Sequence, residues 1–170
     1  SLAAMQQATG FRVQDTQGLN AADTATFVGI ALMVSSILAV SMQAGLIQWL
    51  KWPPKRLLVV GAVCGLAGGL LLTTTESYLL IVVGVGFLGA SFGMMNPAYT
   101  AALTLSAEPG EQGAVLGFNG TVQGLGFTIG PLIGGGLYQV APTLPYWCIA
   151  GFAVVSLTVS LLIKMPDPTA

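Results

Sequence analysis

The residues of this 170-residue chain with the means to do chemistry are few, and the best of them carry no charge. Asn119 and Gln123 stand four apart, so on a helix they share a face with Gly126 and Gly130. Phe92, Asn96 and Tyr99 fall at i, i+4 and i+7, and Ser36 and Gln43 lie seven apart, so each set also occupies one helix face. Amide, hydroxyl and aromatic groups in such stripes suit the wall of a cavity that binds an apolar or amphipathic compound by shape and a few hydrogen bonds. The alternative for each pair is a hydrogen bond between helices, worth roughly 0.6 kcal/mol on average. Metal and cofactor chemistry lacks material: there is no His, and Cys64 and Cys148 both sit inside apolar runs, so no cofactor and no metal site is expected. A membrane enzyme would show His, Asp or Glu clusters near a membrane face. Glu108 and Glu111 instead flank Pro109-Gly110 and read as a solvated turn, so an enzyme is not expected.

The elements that hold these side chains follow from composition. Hydrophobic residues make up 54% of the chain, charged residues 6%, the net charge is −1, and the mean hydropathy is +0.82. Soluble domains carry roughly a quarter of their residues charged, so lipid is the solvent that suits this chain. The same balance excludes a nucleic-acid binder, which needs a basic patch to displace phosphate counterions. Between the charged residues run long uncharged stretches, and these predict transmembrane spans at 26–50, 57–75, 77–103, 113–139 and 144–164. Each reaches the ~20 residues needed to cross a hydrocarbon core about 30 Å thick. Residues 1–11 read as the end of a further helix. Continuous rather than alternating apolar runs disfavour a β-barrel. The expected fold is an all-α integral membrane bundle forming a single transmembrane domain. The chain opens on Ser1 without a basic region or cleavage site, so a piece of a larger protein is expected rather than a signal peptide.

No ionisable residue falls inside a complete span, so proton-relay chemistry would have to come from elsewhere. Basic residues in short loops face the cytoplasm, and placing Lys51, Lys55 and Arg56 inside puts four of the five basic residues inside, with a cytoplasmic carboxy terminus. Trp49 and Trp52 then mark the inner boundary, and Tyr78, Tyr138, Tyr146 and Trp147 the outer one.

Glycine is the most informative residue, because helices in lipid associate by close backbone approach at small residues. Gly61, Gly65 and Gly69 repeat every four residues, as do Gly89 and Gly93, Gly113 and Gly117, and Gly120 and Gly124. Beyond these, Gly117, Gly126, Gly130, Pro131, Gly134 and Gly135 spell G-x8-G-x3-G-P-x2-G-G. Pro131 removes a backbone donor and bends its helix, while the glycines let a neighbour lie against the bend.

At these residues the chain resembles the major facilitator superfamily, whose proton-coupled exporters carry this pattern as the antiporter motif. A second point of resemblance is the loop of Gly45, Lys51, Lys55 and Arg56, which is similar to the family pattern G-x-x-x-D-R-x-G-R-R-x-L, with Leu50 at the Asp, Pro53 at a Gly and one extra residue after Gly45. Gly10 to Asp15 is also similar to the outer end of the seventh helix of drug-exporter members. The resemblance implies the carboxy-terminal half of such a bundle: the end of helix seven, then helices eight to twelve, with the motif on the eleventh by pseudo-symmetry. It implies that helices seven, eight, ten and eleven face a cavity and nine and twelve face lipid. The implied function is secondary transport, the efflux of hydrophobic or drug-like molecules by alternating access, proton-coupled through the missing amino-terminal half. Implied partners are the lipid bilayer, that half and a small-molecule substrate, in a bacterial inner membrane. An importer of a sugar, organic acid or siderophore and a non-transporting membrane scaffold are the alternatives. Asn96-Pro97-Ala98 occurs once, whereas a water channel of that signature needs two copies.

Overall fold

A computed structural model of the chain describes residues 10, 14, 20–45, 52–108 and 110–163. These form five helices and no strand: α1 (Ala21–Met42), α2 (Pro54–Thr74), α3 (Tyr78–Ser106), α4 (Gln112–Val140) and α5 (Leu144–Leu162). The protein is an all-helical membrane bundle. The helix end expected at 1–11, Gly10 apart, and Lys51, Pro109 and Lys164 lie outside the described residues.

The helix ends are set by local chemistry. Asn20 caps α1: its Oδ1 accepts from the Asp23 N–H at 2.9 Å, and its Nδ2 donates to the Asp23 carboxylate at 2.8 Å. That pair puts an acid in the first turn, where the helix dipole favours it. α1 therefore starts five residues before the apolar run expected at 26, because Asp23 belongs to the helix rather than to a loop. After Met42 the last turn widens into π-helix over residues 43–45. α2 begins on Pro54, at a position where the missing N–H would have had no helical partner. α3 continues through Pro97 and α4 through Pro131.

Helices α1, α2, α3 and α5 are long and apolar enough to cross a membrane. α4, with 29 residues, spans about 44 Å at ~1.5 Å per residue and is more than long enough. Its nine glycines, with Asn119 and Gln123, dilute its hydropathy below that of its neighbours.

Glycine determines how closely the helices approach. A Cβ added at Gly68 would stand 2.8 Å from the Gly84 carbonyl, and one at Gly61 would stand 3.3 Å from the Ser91 carbonyl, so α2 and α3 run antiparallel with their backbones nearly touching. α1 and α3 run parallel, Gly89 lying on Ser35 and Gly93 on Ala39, so that two small residues spaced by four meet two others of the same spacing. On the other side of α2, a Cβ at Gly69 would be 3.1 Å from the Ala150 amide nitrogen of α5. Two apolar clusters fill the layers between these contacts. Leu72, Ile81, Val85 and Tyr146 form one, near the end that carries Asp23 and Glu76. Leu57, Leu58, Met94 and Ala98 form the other, near the end that carries Lys55, Arg56, Glu108 and Glu111.

α4 is different. It lies beside α3 and α5, yet the buried residues along its length are Gly130 and Gly134. A Cβ at Gly113, Gly117, Gly120, Gly124, Gly135 or Gly136 would meet nothing within 4 Å among the described residues.

Candidate functional site

The end of α1 and the second half of α3 enclose an open groove of about 710 Å³. Gln43 enters it from α1; Asn96, Thr100 and Thr104 line it from α3. The parallel packing of Gly89 and Gly93 on Ser35 and Ala39 brings these two segments side by side, since any larger residue would hold the backbones apart. Along the α3 stripe the hydroxyls turn inward on their own helix. Thr100 Oγ1 donates to the Asn96 carbonyl at 2.9 Å, and Thr104 Oγ1 to the Thr100 carbonyl at 2.9 Å. Each threonine thus spends its proton on the carbonyl one turn back. The amides of Gln43 and Asn96 have no hydrogen-bond partner among the described residues, and are the groove's available donors and acceptors.

Tyr99, three residues beyond Asn96, reaches toward another helix, where its hydroxyl comes near the Asn119 side chain. The half-buried Gln123 sits one turn further along α4. The structure thus brings Gln43 together with Asn96, and Tyr99 together with Asn119. Ser36 is exposed and Phe92 half-buried, and neither lines the groove. The serine of α1 that makes an interhelical contact is the buried Ser35. Thr100 and Thr104 were readable in the sequence as the i+4 and i+8 continuation of the Asn96 stripe.

The glycine-proline string divides in two. Gly130 and Gly134 are buried, Pro131 and Gly126 half-buried, and Gly117 and Gly135 lie where an added Cβ would find open space among the described residues. At the basic end, Gly45 closes α1 half-buried, and the Arg56 guanidinium carbon stands 4.7 Å from the Trp52 ring centroid, within cation–π range. Lys55 and Arg56 border a second cavity, about 850 Å³, between the start of α2 and the ends of α3 and α5. Tyr99 reaches this cavity too.

The chain thus combines a bundle of apolar helices closed by glycine contacts with a polar groove and a glycine-proline helix. The family model of the Major Facilitator Superfamily matches residues 3–170, and the chain belongs to that family. It is 28% identical over 138 residues to multidrug resistance protein 2 of Bacillus subtilis, covering 81% of this chain and 34% of that relative. It is 33% identical over 95 residues to multidrug resistance protein 1 of the same organism, covering 56% of this chain and 23% of the relative. A third relative, the proton-coupled antiporter flippase LtaA of Staphylococcus epidermidis, is 35% identical over 72 residues, covering 42% of this chain and 18% of the relative. The chain spans about a third or less of the length of each.

Proposed function

We propose that the chain is the carboxy-terminal half of a secondary transporter that exports hydrophobic or drug-like molecules by alternating access, with α1 to α5 as family helices eight to twelve. The observation that carries this reading is the contrast between two sets of glycines. Those of α2 and α3 lie against neighbouring backbone, whereas Gly113, Gly117, Gly120 and Gly124 of α4 present a side-chain-poor face to open space among the described residues. A helix of that kind, anchored at Gly130 and Gly134, suits a surface that slides against a second half of the molecule. Pro131 removes the donor to the Phe127 carbonyl, and so supplies a place where the helix yields.

In this reading Gln43 and Asn96 contact substrate from the groove, and Tyr99, Asn119 and Gln123, outside the groove lining, contact it from the α3–α4 side. The groove offers amides, hydroxyls and apolar surface and no charge, which favours neutral or lipophilic cargo. The names of the relatives point to drug efflux and proton coupling. Apart from Asp23 in the capped first turn of α1, the helices contain no carboxylate among the described residues, so in this reading the titrating group of a proton-coupled exporter belongs to the amino-terminal half. The basic end faces the cytoplasm by the bias of Lys and Arg in short loops, and the membrane is a bacterial inner membrane.

Dye efflux by the full-length protein in proteoliposomes tests this reading. Pro131→Ala and Gly130→Leu are expected to lower turnover at least tenfold while the protein still inserts and elutes as a single species. Unchanged turnover in both would overturn the role of α4. A scaffold would show no flux in any form, and this chain alone is expected to carry none.

A further inference from the structure

The second cavity has a composition that the transport reading does not use. Two of its hydroxyls are committed to their own helices, Ser106 Oγ donating to the Ala102 carbonyl at 2.9 Å and Ser160 Oγ to the Ser156 carbonyl at 2.6 Å; those of Ser156 and Tyr99 also line it. Most of what its interior presents is hydrocarbon, from Leu58, Val59, Met95, Leu103 and Val159. At its mouth stand Lys55 and Arg56. Neither forms an ion pair among the described residues. The acids of the same end, Glu108 and Glu111, are exposed in the α3–α4 turn and pair with neither.

A cleft that is apolar inside and doubly cationic at its rim, at the end of membrane-spanning helices, matches a ligand that is hydrocarbon at one end and anionic at the other. The adjacent leaflet supplies such molecules laterally. We propose that this cavity binds an anionic phospholipid, one acyl chain lying between α2, α3 and α5 and the phosphate resting on Lys55 and Arg56. Basic pockets between transmembrane helices hold anionic head groups by this combination of charge and shape. The volume, about 850 Å³, lies in the upper part of the range of ligand pockets, roughly 300–1,000 Å³. Trp52, stacked on the Arg56 guanidinium, holds that cation at interface depth, where indole rings settle. The acyl chain reaches Tyr99, on the helix that packs beside the glycine-proline helix. The proposal needs no transport step, and its test leaves the efflux reading untouched.

The test is native mass spectrometry of the delipidated full-length protein, offered equal amounts of phosphatidylglycerol and phosphatidylcholine with identical acyl chains. Two basic residues near the head group predict a preference for phosphatidylglycerol of about tenfold to thirtyfold in one bound lipid. K55Q/R56Q is expected to bring that ratio close to one. Ala102→Phe, which fills the cleft from its wall without touching either charge, is expected to reduce binding of both lipids. A wild-type ratio near one, a ratio unchanged in K55Q/R56Q, or full retention of both lipids by Ala102→Phe would each overturn the proposal. Size-exclusion profiles identify a variant that has failed to fold, in which case the other variant decides.

Discussion

Replacing Gly93 by alanine is the sharpest test of how this bundle is held together. The new Cβ would stand 2.5 Å from the Ala39 carbonyl oxygen and 2.7 Å from the Ala39 Cα, where ordinary contact begins at 3.4 Å. Both blocking atoms are backbone, so no side-chain rotation relieves the clash, and α1 and α3 must part by about 0.9 Å. Overpacking of this kind costs about 1–3 kcal/mol. Against that stands up to ~1 kcal/mol gained whenever alanine replaces glycine inside a helix. Gly120→Ala on α4 collects the same gain and meets nothing within 4 Å among the described residues. The helix-propensity term therefore cancels between the two variants, and their difference should be about 1–3 kcal/mol in favour of Gly120→Ala. Thermal unfolding of both variants in the same mild detergent, followed by size-exclusion of a fluorescent fusion, measures that difference. Equal unfolding midpoints would refute the reasoning, since the two stripes would then be packed alike.

Three further outcomes are expected. A double-mutant cycle with Tyr99→Phe and Asn119→Ala should give a coupling of roughly 0.6 kcal/mol, the average for hydrogen bonds between transmembrane helices; strictly additive losses would mean that the two side chains do not interact. Asn20→Ala should cost about 0.5–2 kcal/mol and raise amide exchange in the first turn of α1, with α2 unaffected; unaltered exchange there would remove the cap. Trp52→Leu should destabilise by about 0.5–1 kcal/mol when Arg56 is present and by little in an Arg56→Gln background, and the same loss in both would show that the ring acts by packing alone.

The sequence disclosed the bundle because charge marks where helices end in lipid, and only eleven positions carry one. Where it misled, a charge had a second role. Asp23 looks like a loop residue until Asn20 is seen to cap the helix through it. Glycine spacing was fully legible, but spacing alone does not say which stripe has a partner. Gly89 and Gly93 find one in α1, while Gly113, Gly117, Gly120 and Gly124, at the same period, find none among the described residues. Site residues were legible one helix at a time. Periodicity placed Asn96 and Tyr99 on α3 and Asn119 on α4, yet the pairing of Tyr99 with Asn119, and of Gln43 with Asn96 across the groove, depends on how helices meet in space. The same limit explains Ser36: heptad spacing set it with Gln43, whereas the packing of α3 selects Ser35, next to it, for burial against Gly89.

In the transport reading, the open glycine face of α4 is a working surface, covered and uncovered in each cycle. A single cysteine at position 120, in full-length protein with Cys64 and Cys148 replaced by serine, reports on it directly through its rate of alkylation by a membrane-permeant maleimide. Ready labelling is expected in the resting protein, with a change of several-fold or more when a transported dye is added, and no labelling at any stage of a cysteine replacing the buried Ala98. An alkylation rate at position 120 that does not respond to any transported compound would contradict it.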